Sequence, residues 1–211
     1  RIEGFNVSHL DWGNSGAKTL TLTFYAKTDG STGVMSVSAY ATKHYIREVS
    51  LTNSWQKFTV TFPGNTADEI GHNKDNGLQL MFVLHSGSDH EATINTWGSG
   101  FEAASSNQVN FGSSTNNNIY FAGVQLEVGS SATDFDHIPY GEELLKCQRY
   151  CMRWDNDDTS HGNHARMPVG MITGGSQGSF PMAHSVPMRA TDGRAIEYSI
   201  STLSPQAGGV G

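Results

Sequence analysis

Aromatic rings set among polar or turn residues can stack on the C–H faces of sugars, while neighbouring Asn, Gln, Asp or His side chains bond the hydroxyls. Four side chains fit that description. Tyr25 falls on the polar side of the run Leu20 to Lys27, and Tyr40 alternates with Ser36 and Ser38, so both are expected to point outward. Trp12 and Trp97 lie in Gly-flanked stretches, with Asp11 and Asn14 beside the first and Asn95 beside the second. Trp12, Tyr25, Tyr40 and Trp97 are therefore the candidate sugar-contacting residues. The plainer alternative for the two indoles is that they plug the ends of a β-sandwich, because Trp is highly buried on average. Trp55 reads as structural.

Other groups offer less. His161 and His164, near Asp155, Asp157 and Asp158, supply imidazole and carboxylate donors of the kind a transition metal takes, but no helical spacing fixes them and a solvated loop is the simpler reading. Cys147 and Cys151 are the only cysteines. Four residues apart on a helix they run parallel, which does not present disulfide geometry, so two buried thiols made in a reducing cytosol are expected. The nucleophile-elbow, zinc-protease and phosphate-loop motifs are all missing. Glu142 and Glu143 are adjacent and diverge, so they cannot flank a glycosidic bond. A carboxylate pair distributed over the fold would leave no spacing signal, and polysaccharide cleavage stays as a lesser alternative. The chain reads as a protein that is not an enzyme.

The elements that must position these residues are strands. Period-two alternation predicts them at 20–28, 34–41, 43–51, 55–62, 77–86 and 118–128. Leu20, Leu22, Phe24 and Ala26 face one way in the first, and Phe58, Val60 and Phe62 face the core in the fourth. The fifth is partly apolar on both sides and is expected to be central. In the sixth, Tyr120, Ala122, Val124, Leu126 and Val128 share one face, opposite Ile119, Phe121, Gly123, Gln125 and Glu127. Polar-face alternation of this kind belongs to antiparallel sheets with one face on the core. Thr28 to Gly33 and Asn73 to Gly77 read as hairpin loops. The stretch from Ser86 to Asn118 is too long to lack either a binding role or packing of its own. Pro139 and Gly141, followed by Glu142 and Glu143, open a short helix whose first-turn acids complement its dipole, with Leu144, Cys147 and Cys151 on one face. Beyond it, apolar pieces at 169–173, 180–188 and 195–203 suggest short ribbons with too little apolar content for a core of their own.

A net charge of -7 argues against nucleic-acid binding, which needs a basic stripe. No run is long enough to insert in a membrane as a helix. The chain opens at Arg1 without an initiator Met and reads as an ordered piece of a longer protein.

The run from Asn118 to Cys151 resembles the closing strand and exit helix of β-sandwich domains in phage tail fibres and related virion appendages. Arg1 to Gly4, Leu10 to Gly13, Leu20 to Lys27, Ser54 to Gly64 and Thr96 to Gly100 resemble further pieces of such domains in the same order. The resemblance implies a carbohydrate-binding-module-like jelly roll over 1–140, a linking helix over 141–153 and an incomplete β-rich appendage over 154–211. It implies a virion location, host-surface carbohydrate and other virion proteins as partners, and a homotrimer. It also allows a structural calcium near the chain ends, for which Glu3, Asp134 and Asp136 are the oxygen donors, although no calcium-loop pattern is present. The expected fold class is all-β, an antiparallel jelly-roll β-sandwich with a short helix and a small β-rich C-terminal part. The expected function is non-catalytic recognition of host-surface glycans. The alternative is a capsid or tail decoration or connector protein that makes only protein contacts, which an outward apolar patch at Met35, Met81 and Val83 would favour.

Overall fold

A computed structural model describes residues 1–151, 171–174, 177–179 and 185–189, the two short C-terminal strands by backbone alone. It divides into two units, 1–136 and 137–211. The fold is all-β: antiparallel sheets with a few short helices.

In the first unit the elements are β1 (Ile2–Glu3), α1 (Gly4–Val7), β2 (Leu20–Asp29), β3 (Gly33–Tyr40), β4 (His44–Leu51), β5 (Gln56–Phe62), β6 (Asn76–Val83), β7 (Trp97–Gly98) and β8 (Asn118–Val128). All six strands expected from alternation are present, with ends shifted by at most a few residues. They sort into a five-stranded sheet, ordered β1-β6-β3-β4-β7, and a three-stranded sheet, ordered β5-β2-β8. Alternation puts Leu20, Leu22, Phe24 and Ala26 of β2, Met35, Val37 and Ala39 of β3, and Val60 and Phe62 of β5 into one shared core. Phe24 sits at its centre, edge-on to Phe82 at 5.0 Å and tilted against Phe58 at 5.3 Å.

Several expectations need correction. Thr28 to Gly33 and Asn73 to Gly77 are not hairpin loops: each connects strands of different sheets, β2 to β3 and β5 to β6. The first crosses over with Gly30 and Gly33 at φ +106° and +133°, and is held by the Asn117 side chain, which accepts from the Ser31 amide at 3.0 Å. The second is held by α1, where the Gly4 and Phe5 amides donate to Asp75 and Asn73 carbonyls. Within the first unit the consecutive strands that pair as a hairpin are β3 and β4. β6 is second from an edge, not central; it pairs β1 near Leu78 and β3 from Gln79 to Val83.

The faces of β8 are also not those expected. Between Thr23 and Tyr25 of β2, β8 advances from Gln125 to Ala122, one residue more than its partner. This bulge lies at Gly123 and Val124, and Gly123 adopts φ +56°, a conformation open to glycine at little cost. The extra residue switches which side points inward. Leu126 faces the core before it, and Phe121 and Ile119 face it after, with Phe121 4.8 Å from Phe82. Tyr120 is thereby turned to solvent.

The stretch after β6 has its own packing. It folds over the outer face of the five-stranded sheet, where Ser36, Ser38 and Ile46 are buried, as are Ala103, Ala104 and Ser105 of the covering stretch. The Ser105 amide donates to Ser36 Oγ at 2.9 Å, and the amides of Val109 and Phe111 donate to carbonyls of Val34 and Leu84. Met35 is fully buried and Met81 and Val83 half-buried, so the outward patch they might have formed is not there.

In the second unit, α2 (Tyr140–Gln148) begins after Pro139 with Glu142 and Glu143 in its first turn. It buries none of its side chains, and Cys147 and Cys151 are exposed thiols, not the buried pair expected. The helix is short, and Glu142, Glu143, Lys146 and Gln148 leave it no continuous apolar stripe. β9 (Met171–Gly174) and β10 (Gln177–Ser179) pair antiparallel. The group of His161, His164, Asp155, Asp157 and Asp158, most of the ribbon at 180–188 and all of that at 195–203 lie outside the described residues. Among the described residues no helix is long and apolar enough to cross a membrane.

Candidate functional site

The outer face of the three-stranded sheet carries a row of aromatic side chains around a lysine. Its geometry follows from register. Lys27 on β2 lies opposite Tyr120 on β8, and Tyr25 opposite Lys57 on β5, which sets Trp55, just before β5, on the far side of Lys27. Trp55 and Tyr120 lean toward each other across β2, with ring centroids 6.5 Å apart at 61°. The Lys27 ammonium stands 4.7 Å above the Tyr120 ring and 3.3 Å from Asp29 Oδ1. Trp55 is 50% exposed, Tyr25 42% and Tyr120 40%.

Behind this row the segment after β8 folds back over the sheet. Gln125 donates to the Asp134 carbonyl at 3.1 Å and accepts from the Asp136 amide at 2.7 Å, while Thr133 donates to Glu127 through both its amide and its hydroxyl. These bonds hold the Glu127 carboxyl below its ordinary range. They also bring Phe135, itself exposed, over Gly123 and beside Tyr25, so that four rings border one open face.

This surface offers flat apolar area with a cation, a carboxylate and a phenol close at hand. Asp29 raises the Tyr120 pKa by hydrogen bonding and by its charge, with Lys27 a smaller opposing influence. Tyr120 therefore stays a neutral hydroxyl at physiological pH. Stacking on the rings and hydrogen bonding at Lys27 and Asp29 is chemistry suited to a sugar chain.

A second, smaller aromatic cluster lies at the end of the five-stranded sheet. Tyr40 meets Phe101 edge-on at 5.1 Å, and His90 Nδ1 lies 3.0 Å from the Phe101 carbonyl oxygen. Beneath it His44, buried at the start of β4, sets Nδ1 2.8 Å from Glu102 Oε2.

The structure separates the four residues singled out by sequence. Tyr25 belongs to the exposed row and Tyr40 to the second cluster, on different sheets. Trp12 is 3% exposed, donates its indole N–H to the Lys18 carbonyl at 2.8 Å, and packs edge-on against Trp97 at 5.2 Å. Trp97 is half-buried against Tyr45. The pair fills the end of the core, which leaves Trp12 no face for a ligand. The calcium donors are likewise not assembled. Glu3 is buried in the five-stranded sheet, Asp134 and Asp136 are exposed on the returning segment, and among the described residues no group of three or more His, Cys, Asp or Glu could hold an ion.

Trp55, Tyr120, Phe101 and Phe135 were missed as site residues. For Trp55 a signal existed, since period two from Lys57 and Thr59 already points it outward. For Tyr120 none did, because a bulge decides its face. No family model matches this chain, and neither a curated protein nor a solved structure matches it.

Proposed function

We propose that this chain is a non-catalytic recognition module of a phage tail fibre or similar virion appendage, with a jelly-roll winding, and that it binds host-surface carbohydrate through the outer face of its three-stranded sheet. The observation that carries the reading is the exposed row Trp55, Lys27 and Tyr120, with Tyr25 beside it: three rings brought to one sheet face by strand register, each at least 40% exposed. The winding is supported by nesting, since the β2–β8 pair encloses the β3–β6 pair in sequence. Affinity per site is expected to be low, and repetition in a homotrimer raises it through avidity. The resemblance noted in the sequence is the basis for the virion setting.

The test is a glycan array and host-cell adsorption with Trp55→Ala, Tyr120→Ala and Tyr25→Ala. Each removes an exposed ring, so melting should not change, while affinity should fall about tenfold per ring, the equivalent of roughly 1.4 kcal/mol. Unchanged binding in all three variants removes the site. Absence of any glycan bound by the parent chain removes the carbohydrate function.

A connector or decoration role, making only protein contacts, draws support from α2, where Leu144 and Leu145 are 40% and 48% exposed. That reading predicts retention of a virion protein, with adsorption indifferent to the three ring substitutions.

A further inference from the structure

A second polar site lies where the two sheets part along one flank. Position 47 of β4 pairs with Val37, whose side chain is in the core, and its alternate neighbours Tyr45, Val49 and Leu51 are core residues too. The residue in this core-facing row is Arg47. β7 pairs with β4 only at His44 and Tyr45, and beyond it the edge is met by the Asn95 amide, which donates to the Ile46 carbonyl at 2.9 Å. β5 is the edge of the other sheet. Between these two edges opens a cleft of about 270 Å³, lined by Arg47, Glu48, Thr59, Val60, Ile94 and Asn95.

Arg47 is half-buried there. Its Nη1 donates to the side-chain oxygen of Asn95, which is held at φ +61°, and among the described residues no carboxylate reaches it as an ion pair. Glu48, the adjacent residue, accepts from Asn107 Nδ2 at 3.1 Å. An amide oxygen supplies a dipole but no counter-charge to a partly desolvated guanidinium. An inward charge can guard an open strand edge against pairing, and a lysine would serve that end equally well. The planar fork, set in a cleft with an amide and two apolar side chains, matches a carboxylate that carries a polyol ring.

We propose that this cleft takes the carboxylate of an acidic saccharide unit, a hexuronate or its like. Arg47 holds the carboxylate, Asn95 a neighbouring hydroxyl, and Val60 and Ile94 the C–H face, with the Thr59 strand forming the opposite rim. Thr59 on β5 is four residues beyond Trp55, which immediately precedes the strand, about 13 Å along the chain, so one oligosaccharide can engage cleft and aromatic row together. That the carboxylate belongs to a saccharide rests on the carbohydrate reading above; that the cleft takes a carboxylate rests on Arg47.

The experiment is a heteronuclear NMR titration of the full chain with glucuronate, glucose and acetate at constant ionic strength. Glucuronate is expected to shift the Arg47 Nε–H and the Thr59 and Asn95 amides saturably, at least tenfold more tightly than glucose or acetate. Arg47→Gln should abolish those shifts and Arg47→Lys weaken them about tenfold, the fork being lost while the charge remains. Both variants should melt like the parent. Acetate equal to glucuronate overturns the saccharide assignment. Shifts confined to Trp55, Tyr25 and Tyr120 overturn the cleft and leave the aromatic site standing. Shifts at the cleft that survive Arg47→Gln, or none with any probe, overturn the proposal.

Discussion

Gly98 and His44 face each other across the β4–β7 pair, and their contact decides how the rim of the five-stranded sheet is built. A methyl group on Gly98 would lie 2.3 Å from His44 Nε2, inside the contact distance of any real pair. The imidazole cannot swing aside, since it is buried and its other nitrogen lies against Glu102 and the Gly100 carbonyl. Gly98→Ala should therefore destabilise the fold by about 1–3 kcal/mol in chemical denaturation, in line with overpacked cores. Gly87→Ala, where an added methyl meets nothing within 4 Å, should stay within about 0.5 kcal/mol of the parent. Equal midpoints for both variants would show that the rim yields. At this scale the sequence was partly legible. Tyr25 was assigned outward by alternation and is exposed. Trp55 carries the same signal, but its place in the recurring run Ser54 to Gly64 favours a structural reading, and it is exposed all the same.

The closing strand and the segment that folds back over it form a single element held by side-chain hydrogen bonds. Glu127 is its acceptor, taking bonds from Thr133 and Gln125 that lower its pKa from the ordinary 4.5. A carboxyl with a depressed folded-state pKa adds stability above its unfolded value, and that contribution is lost as pH falls through the folded value. Stability of the parent should thus decline on acidification below about pH 4.5, the ordinary range of a glutamate. Glu127→Gln should lower the melting temperature at neutral pH and narrow its gap from the parent as the pH drops. A gap constant with pH would dismiss the carboxylate's part. The strand itself was readable from period two, but its faces were not. One inserted residue at Gly123 reverses the alternation, and an extra residue in a strand looks in sequence like an ordinary member of it.

At the scale of the whole chain, the core residues described all lie between Ile2 and Leu126. The first unit therefore holds what it needs to fold, and a chain ending at Asp136 should unfold in one cooperative transition by both circular dichroism and tryptophan fluorescence. Aggregation or non-coincident transitions would mean that the core draws on residues further along. The net charge of -7 sets a background against which Lys27 and Arg47 are local exceptions, each set among groups that can bond a sugar.

Composition and alternation by themselves determined that this protein is all-β, where its six long strands run, and where a helix starts after Pro139. These are local properties, set by side-chain period and turn chemistry within a few residues. Only the tertiary structure decided which sheet each strand joins, because loops such as Thr28 to Gly33 cross between layers with the same residues a hairpin would use. It also decided that the stretch from Ser86 to Asn118 covers a sheet, that Trp12 fills an end of the core, and that Trp55, Lys27 and Tyr120 meet in one row. Those outcomes depend on register between strands tens of residues apart, and a one-residue slip in that register exchanges buried faces for exposed ones.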